Sequence, residues 1–216
     1  MTRPRVLIAD DHNLVAELCK QLLETEFDVV GVVSNGRALV QAAGELKPDV
    51  IVLDIAMPVL NGLDAGQQAK EILPAVKLVY LTVNPDAEVA AEAFERGASA
   101  YLVKTCASDE LVRAVREALR GHTYVSRPLS RHEIDRLRWQ NTRLVREDDC
   151  LTRRQREVLQ LLAEGKAAKE VGGILNMSTR TVCYHKYRMM KLLRANSNAD
   201  LVKYAVRNNL VPLARV

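Results

Sequence analysis

Residues 49–58 read DVIVLDIAMP, and this stretch decides how the first half of the chain folds. Its centre is apolar and β-branched, and Pro48 and Pro58 lie on either side of it. A short apolar run of this kind is typical of a strand that is buried on both faces of a parallel sheet. Asp54 closes the apolar part of the run, so we expect its carboxylate at the carboxyl edge of that sheet, where open α/β sheets bind ligands.

Polar residues stand at the ends of three other apolar runs. Asp10 and Asp11 follow RVLIA, Thr82 follows VKLVYL, and Lys104 follows AYLV. Each has an ordinary explanation alone, as a helix cap, a turn residue or a solvated lysine. If only these ordinary explanations held, the position of all four residues at strand ends would be four separate coincidences. We therefore expect the four residues to converge with Asp54 on one crevice.

Three carboxylates in one crevice repel each other unless a cation lies among them. We expect only oxygen donors there and no His or Cys cluster, which indicates a hard ion, Mg²⁺. A carboxylate can accept a phosphoryl group, and phosphoryl transfer needs neutralisation of the phosphoryl oxygens. Mg²⁺, the Lys104 ammonium and the Thr82 hydroxyl would supply it.

Residues 1–121 alternate between strand and helix patterns. Five βα units predict an α/β, doubly wound, five-stranded parallel sheet. We place strands near 5–9, 28–33, 49–53, 76–81 and 100–103, and helices near 12–24, 36–46, 62–72, 86–96 and 108–120.

Charge divides the 216 residues into an acidic front and a basic end. Residues 1–121 carry 12 Lys and Arg against 18 Asp and Glu, a net charge of −6, whereas residues 151–216 carry 13 against 4, a net charge of +9. A basic end of this kind favours nucleic-acid binding. No apolar run is long enough to span a membrane, no signal peptide is evident, and the four scattered cysteines favour free thiols in a cytoplasmic protein.

Residues 122–147 are predicted to form a linker, partly helical near 131–146. Ser130 and Glu133 have capping-box spacing, and Ile134, Leu137, Leu144 and Val145 form a thin apolar stripe. A dimerising coiled coil needs more heptads, so an interdomain linker is the preferred interpretation.

Residues 148–216 are predicted to be entirely helical. Thr152, Ser178 and Ser197 begin helices that we place near 152–164, 178–194 and 197–209, with a short helix near 167–175. Two helices joined by the tight turn at Asn176 and Met177, in a basic domain, are typical of a helix-turn-helix.

These motifs resemble a known family. VLIADD, VLDIAMPVLNG, LT and GASAYLVK look like the flavodoxin-like receiver domain of a two-component response regulator, and residues 151–193 resemble a LuxR-type helix-turn-helix. Together they resemble the NarL/FixJ group over nearly the whole chain. The resemblance implies that Asp54 is phosphorylated by a sensor histidine kinase. It also implies that Asp11 binds Mg²⁺ directly, Asp10 binds it through water, and the Ala56 carbonyl is a further ligand.

The resemblance also implies that Thr82 and Lys104 bind the phosphoryl oxygens and that Tyr101 is a switch residue. The spacing alone equally fits a half-buried strand tyrosine at position 101. Of the helix near 178–194, we expect Val182, Met189, Leu192 and Leu193 to face the core. The expected DNA contacts are Lys169, Arg180, Thr181, Cys183, Tyr184, Lys186, Tyr187, Arg188 and Lys191. The family often has a basic residue at position 183, so base readout here would shift to the two tyrosines.

We therefore expect a phosphorylation-switched, DNA-binding transcription regulator that is not an enzyme and has no organic cofactor. The last helix and the receiver surface would support a homodimer through Val202 and Val206, although all residues of that helix could instead share one core. The first rival is a regulator that binds DNA without phosphorylation and uses its receiver only to dimerise. A phosphatase fits poorly because Ala56 stands where that chemistry needs a second acid. A nucleotide-binding protein also fits poorly, since no glycine-rich loop follows the first strand.

Overall fold

The structure is a computed structural model that describes residues 3–143 and 151–212. These residues form two compact units, one with the elements β1 to α6 and the other with helices α7 to α10. The expected limits of the linker at 121/122 and 147/148 stay predictions, and residues 144–150 lie outside the described ranges.

The first unit is an α/β domain, as predicted. Its strands are β1 (Arg5–Ala9), β2 (Asp28–Val33), β3 (Val50–Asp54), β4 (Lys77–Thr82), β5 (Ala100–Val103) and β6 (Tyr124–Val125). Its helices are α1 (Asn13–Leu23), α2 (Gly36–Leu46), α3 (Gly62–Ile72), α4 (Ala87–Glu95), α5 (Ala107–Leu119) and α6 (Arg131–Arg143). A single turn of 3-10 helix, Lys104–Cys106, joins β5 to α5.

The sheet is parallel, with the strand order β2-β1-β3-β4-β5-β6. The prediction of five strands was therefore wrong by one strand. Strand β6 pairs with β5, and the Ser126 amide next to it donates to the Tyr101 carbonyl at 2.9 Å. A two-residue strand is too short to produce a recognisable periodicity, so the sequence pattern could not reveal it.

The core of this unit lies between the sheet and the helices. All five residues of β3 are buried, as the apolar run predicts. Helix α3 comes close to the sheet because it carries glycines at the contact points. A Cβ on Gly66 would overlap the Tyr80 hydroxyl, and a Cβ on Gly62 would overlap the Asp54 carbonyl oxygen. Gly62 therefore allows the chain to turn tightly behind Asp54.

The predicted linker helix is present as α6, and it belongs to the first unit. It packs against α4, where the Arg138 guanidinium lies 5.9 Å from the centre of the Phe94 ring. Ile134 of the expected apolar stripe is buried, whereas Leu144 and Val145 lie outside the described residues.

The second unit contains α7 (Arg153–Ala163), α8 (Ala168–Leu175), α9 (Thr179–Leu192) and α10 (Asn198–Arg207). The predicted caps begin three of these helices. Thr152 and Ser197 form capping boxes with Gln155 and Asp200, and the Ser178 side chain accepts a hydrogen bond from the Thr181 amide.

The turn between α8 and α9 has the backbone that a helix-turn-helix requires. Asn176 follows α8 in the left-handed conformation, with φ of 51°, which asparagine tolerates better than most residues. A Cβ on Gly172 would lie 2.7 Å from the Met177 carbonyl oxygen, so this glycine lets the turn fold back onto α8. Gly173 is exposed and has no neighbour that a Cβ would meet.

Candidate functional site

Three polar side chains that the sequence places at strand ends lie together at the carboxyl edge of the sheet. Asp10 follows β1, Asp54 ends β3, and Lys104 follows β5. The Lys104 ammonium lies 2.7 Å from Asp10 Oδ2 and 3.0 Å from Asp54 Oδ2, and only 10% of its side chain is exposed. Lys104 is therefore a buried bridge between two carboxylates and not a solvated surface lysine.

The acids form a group that could hold a cation. One potential ligand atom from each of Asp10, Asp11, His12 and Asp54 lies within 4.8 Å of the others. We name these four residues the acidic crevice. Three carboxylates this close together suit a hard divalent ion, so the donor set fits Mg²⁺. The expectation of oxygen donors only was incomplete, because His12 Nδ1 lies 3.1 Å from Asp11 Oδ1 and 3.4 Å from Asp10 Oδ1.

His12 was missed because Asp10 and Asp11 were weighed as possible helix caps. The N-cap of α1 is His12 itself, and its side chain makes no capping hydrogen bond. Its amide instead donates to Asp10 Oδ1 at 2.9 Å. The signal was the adjacency of the three residues in the sequence, since a residue next to two ligand candidates starts within reach of the same ion.

Burial controls the charge state of Asp54. Removal from water raises the pKa of the Asp54 carboxyl above its ordinary value of 3.8. Lys104 opposes this effect, Asp10 adds to it, and the Ala56 amide donates to Asp54 Oδ1 at 3.3 Å. The carboxylate of Asp54 therefore lies in an environment that favours neutralisation of its charge.

Thr82 ends β4 on the same edge of the sheet. Its hydroxyl donates to the Asn84 carbonyl at 3.1 Å and accepts from the Asn84 amide at 3.2 Å. Such a local turn is the ordinary role of a threonine after a strand, and these two hydrogen bonds join the hydroxyl to its own loop.

Tyr101 on β5 is fully buried, so the alternative of a half-buried strand tyrosine was wrong. Removal from water raises the pKa of its phenol, which stays protonated at neutral pH. Tyr101 pairs with Tyr80 of β4 in the sheet register, and the carbonyl of Tyr101 accepts the hydrogen bond from the Ser126 amide, next to β6.

Helix α9 of the second unit presents one buried and one exposed face. Val182 and Met189 are completely buried, and Leu193 is partly buried on the same core. Leu192 was expected there, but it is 49% exposed. Residues 182, 189 and 193 are close to whole turns apart, whereas position 192 is rotated towards the side of the helix.

The exposed face of α9 carries the residues that the sequence assigned to DNA. Tyr187 is 70% exposed and Tyr184 is 56% exposed. The Arg188 guanidinium lies 5.8 Å from the centre of the Tyr184 ring, and its Nη1 donates to the Tyr184 hydroxyl at 3.3 Å. Lys169, Arg180, Thr181 and Lys191 are exposed, while Cys183 and Lys186 are partly exposed.

A receiver-like α/β domain with an acidic crevice and a helix-turn-helix with a basic, tyrosine-bearing face define a class of two-domain regulators. Comparison with known families supports this assignment. Residues 6–116 match the family described as "Response regulator receiver domain", and residues 149–205 match "Bacterial regulatory proteins, luxR family". The chain belongs to the response regulators that join a receiver to a LuxR-type DNA-binding domain.

Individual relatives match over almost their entire length. The chain is 34% identical over 209 residues to the transcriptional regulatory protein LiaR of Bacillus subtilis, which covers 96% of this chain and 99% of LiaR. It is 31% identical over 227 residues to the transcriptional regulatory protein DegU of Brevibacillus brevis, which covers 96% of this chain and 94% of DegU.

Solved structures share the fold. A structure of the RcsB response regulator of Salmonella typhimurium superposes with a TM-score of 0.62 at 24% identity, covering 94% of this chain and 97% of that one. Within residues 3–143 and 151–212, no helix has both the length and the apolar character needed to cross a membrane.

Proposed function

We propose that Asp54 is the phosphoacceptor of this response regulator. The observation that carries the proposal is the position of Lys104, which lies 3.0 Å from Asp54 Oδ2 and bridges it to Asp10. An acyl phosphate on Asp54 would carry about −1.5 to −2 charge units at neutral pH in place of the −1 of the carboxylate, and a buried site tolerates that charge only next to cations.

Mg²⁺ is the divalent cation that we assign to the acidic crevice. Asp11 and Asp54 would bind it directly, Asp10 would bind it through water, and the Ala56 carbonyl would complete the protein ligands. When bound, Mg²⁺ neutralises charge on the phosphoryl oxygens. The raised pKa of Asp54 supports this role, because a site that resists its own negative charge gains from a second cation.

Lys104 and Thr82 would bind the phosphoryl oxygens. Lys104 already points its ammonium at Asp54, whereas Thr82 would exchange its bond to the Asn84 carbonyl for one to a phosphoryl oxygen. Tyr101 lies on the neighbouring strand, and as the switch residue it would respond to this change at Thr82. Because the Tyr101 carbonyl accepts a hydrogen bond from Ser126, which follows β6, a shift of β5 would also move the segment that leads to α6.

Double-stranded DNA is the partner of the second unit, and we assign its contacts to the exposed face of α9. Arg180, Lys186, Lys191 and Lys169 of α8 would bind phosphates, helped by the amino end of α9. Tyr184, Tyr187 and Arg188 would read base edges, with Thr181 and Cys183 adding small contacts. The net charge of +9 in residues 151–216 supports strong electrostatic attraction to DNA.

We further assign a sensor histidine kinase as the phosphoryl donor, the cytoplasm as the location, and a homodimer as the phosphorylated form. Leu201 and Ala205 of α10 are buried in the core, and Val202 and Val206 pack against the same core but stay partly exposed. This division gives α10 an apolar edge for a second copy of the chain, together with the receiver surface.

The direct test is the mass of the full chain after incubation with a small phosphodonor and Mg²⁺. The chain should gain one phosphoryl group, and a chelator should prevent the gain. Asp54→Asn should abolish the adduct, while the matched variant Asp28→Asn, at an exposed position, should be labelled normally. Labelling of Asp54→Asn at the normal rate would refute the acceptor. DNA binding unchanged by the adduct would favour the phosphorylation-independent regulator.

A further inference from the structure

Tyr184 and Arg188 form a joined pair on the exposed face of α9. They lie one helical turn apart, and the Arg188 guanidinium lies 5.8 Å from the centre of the Tyr184 ring. The guanidinium also donates from Nη1 to the Tyr184 hydroxyl at 3.3 Å. Two different contacts, one with the ring and one with its hydroxyl, therefore hold the end of a long side chain that would otherwise turn freely in water.

His185 supports the ring of Tyr184. The centres of the two rings lie 5.9 Å apart and their planes are inclined by 67°, which is a favourable edge-to-face arrangement. Burial lowers the pKa of His185 below its ordinary value of 6.5, and Arg154 and Arg188 lower it further. The imidazole is therefore neutral at neutral pH, and it supports Tyr184 without repelling the guanidinium of Arg188.

The hydrogen bond within the pair decides which groups the pair offers to DNA. Arginine has only donors, and a tyrosine hydroxyl can donate and accept. Because the Tyr184 hydroxyl accepts from Arg188, it directs its own proton elsewhere. The groups that remain are the other N–H groups of Arg188 and the O–H of Tyr184, so the pair presents donors to a base.

Guanine is the base that matches a surface of donors. In the major groove it presents two adjacent acceptors, N7 and O6, which a guanidinium binds bidentately. Adenine presents one acceptor beside an amino donor, cytosine presents a donor, and thymine presents one acceptor beside a methyl group. Each of these three bases leaves a donor of the pair unmatched or places another donor against it.

We propose that Arg188 reads a guanine in the major groove of the operator, and that Tyr184 is the positioning residue that holds its guanidinium. This inference rests on the proposed contact of α9 with DNA, and it names the base that the contact selects. An arginine that is already held before DNA arrives loses less side-chain freedom on binding. The pair should therefore discriminate between bases better than an arginine without its tyrosine.

The test begins with the full chain, incubated with a small phosphodonor and Mg²⁺, and a library of random-sequence duplexes. In the preferred duplex, each guanine is replaced in turn by 7-deazaguanine, which lacks the N7 acceptor but still pairs with cytosine. Fluorescence anisotropy should show a loss of affinity of about fivefold or more at one guanine at least. This arm needs no substitution in the protein. A preferred duplex without guanine, or no loss at any guanine, would overturn the proposal.

Substitutions assign that guanine to the pair. Arg188→Lys keeps the charge but loses the planar fork, so the preference for guanine at that position should fall about tenfold. Tyr184→Phe keeps the ring and removes the hydroxyl, and it should lose about threefold at the same position. The double variant should lose no more than Arg188→Lys alone, because the tyrosine acts through the arginine. Tyr187→Phe removes a hydroxyl from the same exposed face and is the matched control that should keep the preference.

The outcomes separate this inference from the proposed function. Additive losses, or a loss at a different base in Tyr184→Phe, would overturn the positioning role of Tyr184. Equal losses on all duplexes in Arg188→Ala, with a shallower salt dependence, would make Arg188 a phosphate contact and overturn the inference, although α9 would still bind DNA. A full chain that binds no duplex would overturn the proposed DNA contact itself, and this inference with it.

Discussion

The two units handle charge in opposite ways. The first unit is acidic overall, and it buries Asp10, Asp54 and most of Lys104, whose ammonium lies within 3.0 Å of both carboxylates. The second unit is basic and keeps its cations at the surface, with Arg180 and Lys191 exposed on α9. Buried charges interact strongly with a few partners, whereas exposed charges are screened and act through their number.

This difference sets the kind of response that each unit can give. A single charge added to or removed from the acidic crevice should have a large effect, because water cannot compensate for it. A single charge removed from α9 should have a small and salt-dependent effect. The first unit is therefore suited to a switch and the second to graded attraction to a polyanion.

Removal of the central cation should give the largest effect. Lys104→Met keeps the length of the side chain and leaves Asp10, Asp11 and Asp54 together without their bridge. We expect a loss of about 3–5 kcal/mol in the free energy of unfolding, the usual result of breaking a buried ion pair. Urea denaturation of the full chain at neutral pH measures this loss, and added Mg²⁺ should restore part of it.

A matched lysine sharpens the comparison. Lys20 on α1 pairs with Glu24 at 3.9 Å, and both side chains are well exposed. Lys20→Met should change the free energy of unfolding by less than about 0.5 kcal/mol. Equal effects of the Lys20 and Lys104 variants would contradict the distinction between buried and exposed charge.

The contrast between a buried and an exposed position also holds for two adjacent glycines of α8. Gly172→Ala should lower the free energy of unfolding by about 1–3 kcal/mol, because its Cβ would overlap the Met177 carbonyl oxygen. Gly173→Ala should raise it by about 0.5–1 kcal/mol, since the position is exposed and alanine favours a helix. Thermal denaturation of the two variants should therefore shift in opposite directions.

Strong periodicity made most of the fold predictable. The apolar strands and the helix caps fixed the element bounds to within one or two residues, as for β1, α2 and α3. Strand β6 could not be predicted, because two residues carry no pattern and its pairing depends on where the chain returns after α5. The exposure of Leu192 was missed because an apolar residue near a core face was taken to lie on it.

The acidic crevice was predictable for a different reason. Strand ends in a parallel sheet lie on one edge, so Asp10, Asp54 and Lys104 had to approach each other once the strands were recognised. The orientation of individual side chains was not predictable. The bond from Thr82 to Asn84, the complete burial of Tyr101 and the turn of His12 to the acids depend on local geometry that residue types do not encode.

The pH dependence of stability tests the burial of Asp54. Because the pKa of Asp54 is raised in the folded state, its ionised form destabilises the fold. This cost is absent below the ordinary carboxyl pKa of 3.8 and appears as pH rises through the higher folded-state pKa. Asp54→Asn should therefore be more stable than the original chain at neutral pH, and the difference should shrink in acid. A difference that is the same at both pH values would contradict this assignment.

The smallest effects should come from the exposed face of α9, where each residue is one of many. Lys191→Ala should weaken binding of the full chain to all DNA sequences alike, and the slope of log affinity against log salt should become shallower by about 1. Fluorescence anisotropy with a specific and a random duplex, over a series of salt concentrations, measures both quantities.

The same titrations separate phosphate contacts from base contacts. Tyr187→Ala should leave the salt slope unchanged and reduce discrimination between the duplexes by on the order of 1 kcal/mol, because an uncharged ring releases no counterions. Equal losses on both duplexes for Tyr187→Ala would remove Tyr187 from the residues that read bases. An unchanged slope for Lys191→Ala would remove Lys191 from the phosphate contacts, and the graded attraction would then depend on the other cations of the second unit.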